Sequence, residues 1–369
     1  VFSNGFGFHT CSVLQSGALN CWGRNDRNQL GLGHVASVST PTTVSDTTSI
    51  LTIATSTTAS CFIDAQNDLY CTGQDTSNNI GGFDGGIVTM PTQSIPSAHW
   101  TDVALANAPL EQDYTTLGQI LSQISSAQAY LNKGLGSQNA YVSDIASQLE
   151  EISWQSTLSN SDNKNMQRRW FNSYINFAHS PAALDNLFKL LSGQHSLENL
   201  TISQDIRWDI IAQLSRFQHA KANELIAHEL TIDGSDTGEK SSLYAQVIAP
   251  VAQVKVDWLA KIQQKNSDMP FSKLRTAMSA LYPSEQNHLS EQSATQRINL
   301  LSEIDQHNGP VFMRSYSSLI PATCSEQSVD RLAQALKDFS GLSAGTKRSL
   351  LIKHQEDKRC LMIKHTLSL

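Results

Sequence analysis

The first hundred residues contain two copies of one pattern, and this internal repeat constrains the fold more than any other feature. Cys11 and Cys21 recur as Cys61 and Cys71, 50 residues further along the chain. Other positions recur at the same interval: Val13 as Ile63, Leu19 as Leu69, Gly23 as Gly73, Leu30 as Ile80, Gly31 as Gly81 and Pro41 as Pro91. A repeat of this length is typical of a β-propeller blade or a solenoid unit.

The repeat ends near residue 106, where glycine becomes rarer and helical patterns begin. We therefore expect a mixed, multidomain chain. Its amino-terminal part, residues 1–105, is predicted to be antiparallel β, with two propeller-type blades at about 1–50 and 51–105. Residues 106–369 are predicted to form a separate all-α domain.

Composition excludes several classes of protein. The 369 residues are 40% apolar and 16% charged, which fits a globular chain of two or three domains. No stretch approaches the roughly 18 apolar residues of a membrane span. The net charge is −7 with scattered Lys and Arg, so we expect no nucleic-acid partner. The chain begins at Val1 without Met or a signal peptide, and we expect a processed form or a piece of a larger protein.

The cysteines form three candidate disulfide pairs: Cys11 with Cys21, Cys61 with Cys71, and Cys324 with Cys360. The first two pairs flank predicted hairpin turns at Gln15-Ser16-Gly17 and Gln66-Asn67-Asp68, and a tight turn brings such positions side by side. The third pair could bridge neighbouring helices. Three pairs favour an oxidising, extracytoplasmic compartment, periplasmic or secreted. Buried free thiols are the alternative, and the spacing of the first two pairs does not suit structural zinc.

One stretch of the first copy carries a family pattern. Trp22-Gly23-Arg24-Asn25 leads into Gln29-Leu30-Gly31. This resembles the repeat of the regulator of chromosome condensation family, and the second copy is degraded at Thr72, Asp75 and Asn79. The resemblance implies propeller blades. It implies no particular activity, because the family includes a guanine-nucleotide exchange factor as well as secreted proteins. Two blades cannot close a ring that in this family has about seven. Either further blades lie upstream, which we favour, or the two blades pack on the helical part.

The rest of the chain has the periodicity of amphipathic helices. Leu184, Leu187, Phe188 and Leu191 form one apolar stripe at helical spacing. Leu332, Ala335, Leu336 and Phe339 repeat the spacing, and prolines interrupt the pattern at intervals. Helices of this length predict a superhelix of stacked helix hairpins. No βα alternation and no glycine-rich phosphate loop occurs, which excludes Rossmann-type and P-loop enzymes.

Motifs in this helical part resemble the carboxy-terminal helical domain of bacterial M1 zinc aminopeptidases, the aminopeptidase N family, from about residue 113 to the end. They are Trp170-Phe171, Ser180-Pro181-Ala182-Ala183-Leu184, Leu190-Leu191-Ser192-Gly193, Asp205-Ile206-Arg207-Trp208, Leu274-Arg275-Thr276-Ala277-Met278, Phe312-Met313-Arg314-Ser315-Tyr316, Pro321-Ala322-Thr323-Cys324 and the segment from His354 to Cys360. The resemblance implies a domain that caps a peptide chamber and carries a cysteine pair at Cys324 and Cys360. In that family a separate zinc domain, with His-Glu-x-x-His and Gly-x-Met-x-Asn motifs, hydrolyses the peptide.

Neither catalytic motif is present in this sequence. His228-Glu229-Leu230-Thr231-Ile232 begins like the zinc motif, but Ile232 stands where the second His is required. Gly341-Leu342-Ser343-Ala344-Gly345 matches a hydrolase nucleophile elbow, yet it follows a helix and lacks the necessary strand. No two histidines are four residues apart. We therefore predict no catalytic residue, metal or cofactor on this chain, and any zinc would belong to the missing catalytic domain.

Four residues are candidates for contact with a peptide: Arg207, Arg275, Arg314 and Tyr316. The arginine fork suits a peptide carboxylate, whereas an ion pair between helices is the structural alternative. We expect a non-catalytic fragment or subunit that binds and gates peptides, with a peptide and an M1 catalytic domain as partners. The whole assembly would be a zinc metalloaminopeptidase. The alternative is a secreted binding or scaffolding protein that uses propeller and α-solenoid surfaces.

Overall fold

The computed structural model contains two compact units, Val1–Glu111 and Gln112–Leu369. It describes residues 2–4, 9–14, 16–45, 47, 49–55, 58–65, 69–74, 87–95, 108–265 and 267–366. Small antiparallel sheets come first and helices follow. This confirms the predicted change from β to all-α structure along the chain.

The first unit contains two four-stranded antiparallel sheets, each with its strands in sequence order. The strands are β1 Phe2–Asn4, β2 His9–Val13, β3 Leu19–Gly23, β4 Val38–Thr43, β5 Ile50–Thr55, β6 Ala59–Asp64, β7 Leu69–Gln74 and β8 Ile87–Ile95. Four antiparallel strands is also the size of a propeller blade. The assignment of the two sheets as blades remains a prediction.

Each repeated cysteine pair joins two neighbouring strands. Cys11 faces Cys21 across β2 and β3, and Cys61 faces Cys71 across β6 and β7. Both pairs are disulfides with Cα atoms 4.1 Å apart. In the first hairpin Gly17 has φ +80°, and a Cβ there would lie 2.7 Å from the Cα of Ser49, so only glycine fits. The second predicted turn, residues 66–68, lies outside the described residues.

The two sheets are linked through a buried histidine. The Nε2 atom of His9 on β2 lies 2.8 Å from Oγ of Ser60 on β6. The Ser60 hydroxyl donates a hydrogen bond of 2.7 Å to the carbonyl oxygen of Gln29. The Ser60 hydroxyl is thus already bonded to the backbone, and we assign the His9–Ser60 pair a structural role in the β core.

The second unit is built from α-helices: α1 Tyr114–Leu135, α2 Ala140–Ser159, α3 Lys164–Phe177, α4 Pro181–Leu191, α5 Gln204–Arg216, α6 Ala222–Ile232, α7 Asp236–Ile248, α8 Ala252–Gln263, α9 Phe271–Ala280, α10 Asn287–Gln292, α11 Ala294–Asn299, α12 Leu301–His307, α13 Pro310–Tyr316, α14 Glu326–Asp338 and α15 Ala344–Thr366. Side-chain caps define several helix starts. Ser180, for example, accepts from the amide of Ala183, and Pro181 occupies the first helical position, where no amide is needed.

Two apolar clusters form the core of the helical unit. The first packs α3 to α7 around Phe171, Leu187 and Leu214. The second packs α7 to α15 around Ala277, Leu301 and other fully buried side chains. The predicted apolar stripe of α4 faces the first cluster, where Leu187 is completely buried. Helical periodicity therefore identified the buried face correctly. No helix in the described ranges is long and apolar enough to cross a membrane.

The third disulfide joins the last helix to the segment before α14. Cys324 and Cys360 have Cα atoms 5.5 Å apart, and both are buried. The end of α1 passes directly over this bond, because a Cβ on Gly134 would lie 3.5 Å from Sγ of Cys360. The disulfide therefore fixes α15 at a place where three distant parts of the chain meet.

Replacing both cysteines, Cys324→Ser with Cys360→Ser, should lower the free energy of unfolding of the helical unit by about 2–4 kcal/mol. The reason is that the bond restricts the unfolded chain across 36 residues of sequence separation. Urea unfolding followed by far-ultraviolet circular dichroism at 222 nm measures this on the helical signal. The control is the Cys61→Ser and Cys71→Ser double variant, which should leave the helical transition in place. An unchanged urea midpoint in the first variant would contradict the prediction.

Candidate functional site

Arg207 is held by a buried carboxylate. Its Nε donates to Oε1 of Glu229 over 2.8 Å, and its Nη2 donates to Oε2 over 2.6 Å. Nη1 also donates to the carbonyl oxygen of Leu191. The Glu229 side chain is 2% exposed, and the hydrogen bonds from Arg207 and Gln204 lower the pKa of Glu229 against the effect of burial. Arg207 therefore forms the inter-helix ion pair considered in the sequence analysis, between α5 and α6.

Glu229, the glutamate of the partial zinc motif, is thus the partner of Arg207 in this ion pair. Glu229 lies inside the helical unit, whereas His228 is exposed. No group of three or more His, Cys, Asp or Glu side chains with a metal-binding arrangement occurs within the described ranges.

The other three candidate residues have different surroundings. Arg275 on α9 and Arg314 on α13 are exposed, and the two helices pack against each other. The rings of Phe271 and Phe312 meet at that contact with centroids 5.8 Å apart. Tyr316 is 1% exposed, and its hydroxyl accepts a 2.9 Å hydrogen bond from Nε2 of Gln263. Burial raises the pKa of Tyr316 to about 12, so its hydroxyl stays protonated.

Ser343, the centre of the elbow-like string, lies at a helix start. Its Oγ donates to Oδ1 of Asp305 over 2.7 Å and accepts from the amide of Thr346. The helix α15 begins directly after it. These contacts are those of an N-cap, and the element directly before Ser343 is the helix α14, which ends at Asp338.

A cavity of about 560 Å³ lies within the helical unit. Its walls come from α1, residues 282–290, Arg297 on α11, residues 318–322 and α15. Tyr130, Tyr282, Ile320 and several small residues supply the uncharged surface. The volume is in the range of pockets that hold small organic molecules. The cavity is thus a candidate binding site in the helical unit.

Arg297 forms a charged part of this cavity and is only 2% exposed. Its Nη1 donates to the carbonyl oxygen of Leu319, and Nη2 donates to the carbonyl oxygen and Oγ of Ser290, over 2.5 to 2.7 Å. The guanidinium carbon lies 4.4 Å from the ring centroid of Tyr282. The Nε atom is buried and has no acceptor in the described part of the chain. Burial lowers the pKa of Arg297 to about 10, and the group stays protonated at neutral pH.

The other charges around the cavity are paired. Lys133 Nζ lies 3.1 Å from Oδ1 of the fully buried Asp357, and Lys353 Nζ lies 2.9 Å from Oε2 of Glu356. The hydroxyl of Tyr130 is buried and makes no hydrogen bond to a described residue. Arg297 thus stands out as a buried guanidinium for which no ion pair is found in the described ranges.

Sequence reasoning did not single out Arg297, although one signal was present. Ala294, Arg297, Ile298 and Leu301 fall at i, i+3, i+4 and i+7, and all four are buried. An arginine on an apolar helical stripe is unusual, because burial of a charge requires compensation. The pattern could have identified the residue but not the cavity beside it.

Lys255 on α8 is a second buried cation. It is 2% exposed, and its Nζ donates a 2.7 Å hydrogen bond to the carbonyl oxygen of Val247. Burial lowers the pKa of Lys255 to about 7, with opposing contributions from nearby Glu285 and Arg216, which pair with each other. Lys255 lies outside the cavity walls. A perturbed pKa alone does not define a functional site, and the contacts of Lys255 are those of the core.

The buried lysine should make stability depend on pH. The folded pKa of about 7 lies below the ordinary value of 10.5, so the unfolded chain binds more protons between these pH values. The free energy of unfolding should therefore rise from pH 7 to about pH 10 in the parent chain relative to Lys255→Met. Urea unfolding at several pH values measures the difference. The exposed Lys347→Met is the control and should follow the parent, whereas parallel curves for Lys255→Met would refute the prediction.

Two family models match the chain. The ERAP1-like C-terminal domain matches residues 94–354, and the regulator of chromosome condensation (RCC1) repeat matches residues 16–63. No curated protein matches. Among solved structures, Prp20p from Saccharomyces cerevisiae, described with its binding to Gsp1p and histones, is 20% identical, with a TM-score of 0.24 over 26% of each chain. A computationally designed self-assembling cyclic homooligomer is 13% identical, with a TM-score of 0.16 over 71% of this chain and 89% of its own.

At these TM-scores neither solved structure establishes a shared fold, and the chain spans only 26% of the length of Prp20p. The family models confirm both resemblances found in the sequence, one in each part of the chain. The match to the first family covers well over half of the residues. The chain therefore belongs to the ERAP1-like C-terminal domain family and carries, before that domain, a regulator of chromosome condensation repeat.

Proposed function

We propose that the helical domain binds peptides and limits their access to an aminopeptidase chamber, while a separate M1 zinc domain performs the hydrolysis. The observation that carries this proposal is the family match over residues 94–354. The printed sequence also contains neither of the two catalytic motifs of M1 enzymes. In this proposal the chain supplies binding and steric selection, and zinc stays with the catalytic partner.

Arg275 and Arg314 are the residues proposed to contact the peptide. Both side chains are exposed on neighbouring helices, and neither takes part in an ion pair found among the described residues. A guanidinium offers five donors in a rigid fork that matches a carboxylate. Arg207 and Tyr316 are proposed to support this surface without contacting the peptide, because their polar atoms already form hydrogen bonds within the fold.

The proposed location is extracytoplasmic, in the periplasm or outside the cell. Three disulfides support it, since such bonds persist in oxidising compartments. All six cysteines take part in them, and none is free.

A secreted scaffold is the second candidate function, and one observation favours it. Leu351, Ile352 and Met362 on α15 are large apolar side chains with 44%, 42% and 54% of their surface exposed. Exposed apolar side chains on one helix suit a protein partner better than a small ligand. This alternative predicts binding to a folded protein and no affinity for short peptides.

Peptide binding can be measured by fluorescence anisotropy with a labelled nonapeptide that has a free carboxyl end. The double variant Arg275→Ala with Arg314→Ala should raise the Kd about tenfold or more, because hydrogen bonds to charged groups contribute about 1.5–3 kcal/mol each. The matched control is Arg348→Ala, another exposed arginine on a helix. Equal affinity of the double variant and the parent chain would overturn the assignment of these residues. Failure of the parent chain to bind any peptide would overturn the proposed function.

A further inference from the structure

The last helix, α15, differs in charge from the rest of the chain. It contains six Lys or Arg against two Asp or Glu, which gives a net charge of +4. The rest of the chain contains 20 Lys or Arg against 31 Asp or Glu, which gives −11. Of the two acids on α15, Asp357 is fully buried beside Lys133, and Glu356 is paired with Lys353. A chain that is negative as a whole thus presents one strongly positive helix.

Helical spacing places the buried and the exposed residues of α15 on opposite sides. Thr346, Leu350, Asp357 and Cys360 are buried and bind the helix to the domain. The opposite side, here called the α15 face, consists of two rows of exposed residues, each in the order cation, apolar residue, cation: Lys347, Leu351 and Lys358 in one row, Arg348, Ile352 and Arg359 in the other. Residues 11 apart are about three turns apart, so each row runs straight for about 18 Å along the helix.

The four cations of the α15 face have no carboxylate at ion-pair distance among the described residues. They stand as two pairs of neighbours, Lys347 with Arg348 and Lys358 with Arg359, at the two ends of the face. Between them lie Leu351 and Ile352, with 44% and 42% of their surface exposed. Four like charges on one side of a helix attract a surface of opposite charge.

The combination of residues on the α15 face favours a lipid surface over a folded protein. Lys is depleted from protein interfaces, whose centres are apolar and continuous. Here two apolar side chains are enclosed by cations. A helix that lies on a membrane has this composition, because its Lys and Arg meet anionic headgroups while apolar side chains enter the boundary with the acyl chains. The long stems of Lys and Arg let the charged ends reach the phosphates from that depth.

We propose that the α15 face docks this chain on the surface of a membrane that contains anionic phospholipids. Lys347, Arg348, Lys358 and Arg359 contact the headgroup phosphates, and Leu351 and Ile352 enter the boundary between headgroups and acyl chains. The helix lies on the membrane and does not cross it. This proposal does not rest on peptide binding, which is assigned to Arg275 and Arg314 on other helices.

The test is cosedimentation of the full chain with lipid vesicles. Vesicles of equal parts phosphatidylglycerol and phosphatidylcholine should bind the chain about tenfold or more tightly than vesicles of phosphatidylcholine alone, and added salt should weaken this binding. Lys358→Gln with Arg359→Gln should lower the partition coefficient about tenfold or more, because each cation near an anionic surface contributes to binding. Leu351→Ser with Ile352→Ser should lower it about threefold or more, since apolar burial is lost.

The matched control is Lys164→Gln with Lys189→Gln, which removes the same charge from exposed positions on α3 and α4 and should bind vesicles like the parent chain. Equal binding to the two kinds of vesicle, no binding to either, or the same loss in the control variant would overturn the proposal. Circular dichroism verifies that each variant folds. If one variant of the α15 face does not fold, the other replaces it, and unchanged binding in that variant counts against the face.

Soluble poly-L-glutamate separates a lipid surface from an acidic protein. The parent chain should bind this polymer about tenfold or more weakly than the anionic vesicles, because the polymer offers no apolar phase to Leu351 and Ile352. Equal affinity for polymer and vesicles would assign the face to an acidic protein partner and contradict the proposal. The peptide experiment contains no lipid, so failure of the peptide proposal and failure of this one are observed separately.

Discussion

The buried carboxylate of Asp357 holds together the chain segments on which the cavity depends. It accepts a 2.7 Å hydrogen bond from the amide of Cys324 and lies 3.1 Å from Nζ of Lys133. Beside it the disulfide to Cys360 ties α15 to the same segment. Asn287 completes the junction with hydrogen bonds to the carbonyl oxygens of Lys133 and Thr323. The walls from α1, α15 and residues 282–322 are thus fixed relative to one another within the helical unit.

Two arginines of this unit, the partly exposed Arg207 and the buried Arg297, are compensated by different kinds of partner. Arg207 meets Glu229, and the paired charges stabilise the contact between α5 and α6. Arg297 meets carbonyl oxygens, a hydroxyl and an aromatic ring, which offer partial charges only. Removing a guanidinium from water is unfavourable unless hydrogen bonds or an opposite charge compensate for the lost hydration. Arg207 thus has a carboxylate at ion-pair distance, whereas Arg297 has none among the described residues.

The sequence predicted the change from β to helical structure because both periodicities are strong and local. The cysteine spacing of ten residues likewise predicted the hairpin pairs Cys11–Cys21 and Cys61–Cys71. The cavity could not be predicted, because Tyr130, Arg297 and Lys353 come from helices far apart in sequence and only packing brings them together. The role of Glu229 was hidden for the same reason. Its partner Arg207 lies on another helix, and the partial zinc motif around Glu229 gives no information about that partner.

The helical domain belongs to the ERAP1-like C-terminal family, and we propose that a separate catalytic domain performs the hydrolysis. The most direct measurement is hydrolysis of a panel of aminoacyl fluorogenic substrates by the purified chain, with added zinc and with a chelator in a parallel sample. We expect no turnover above the chelator sample for any substrate. Turnover that requires zinc and disappears with the chelator would contradict this proposal, because it would place a catalytic metal site on this chain.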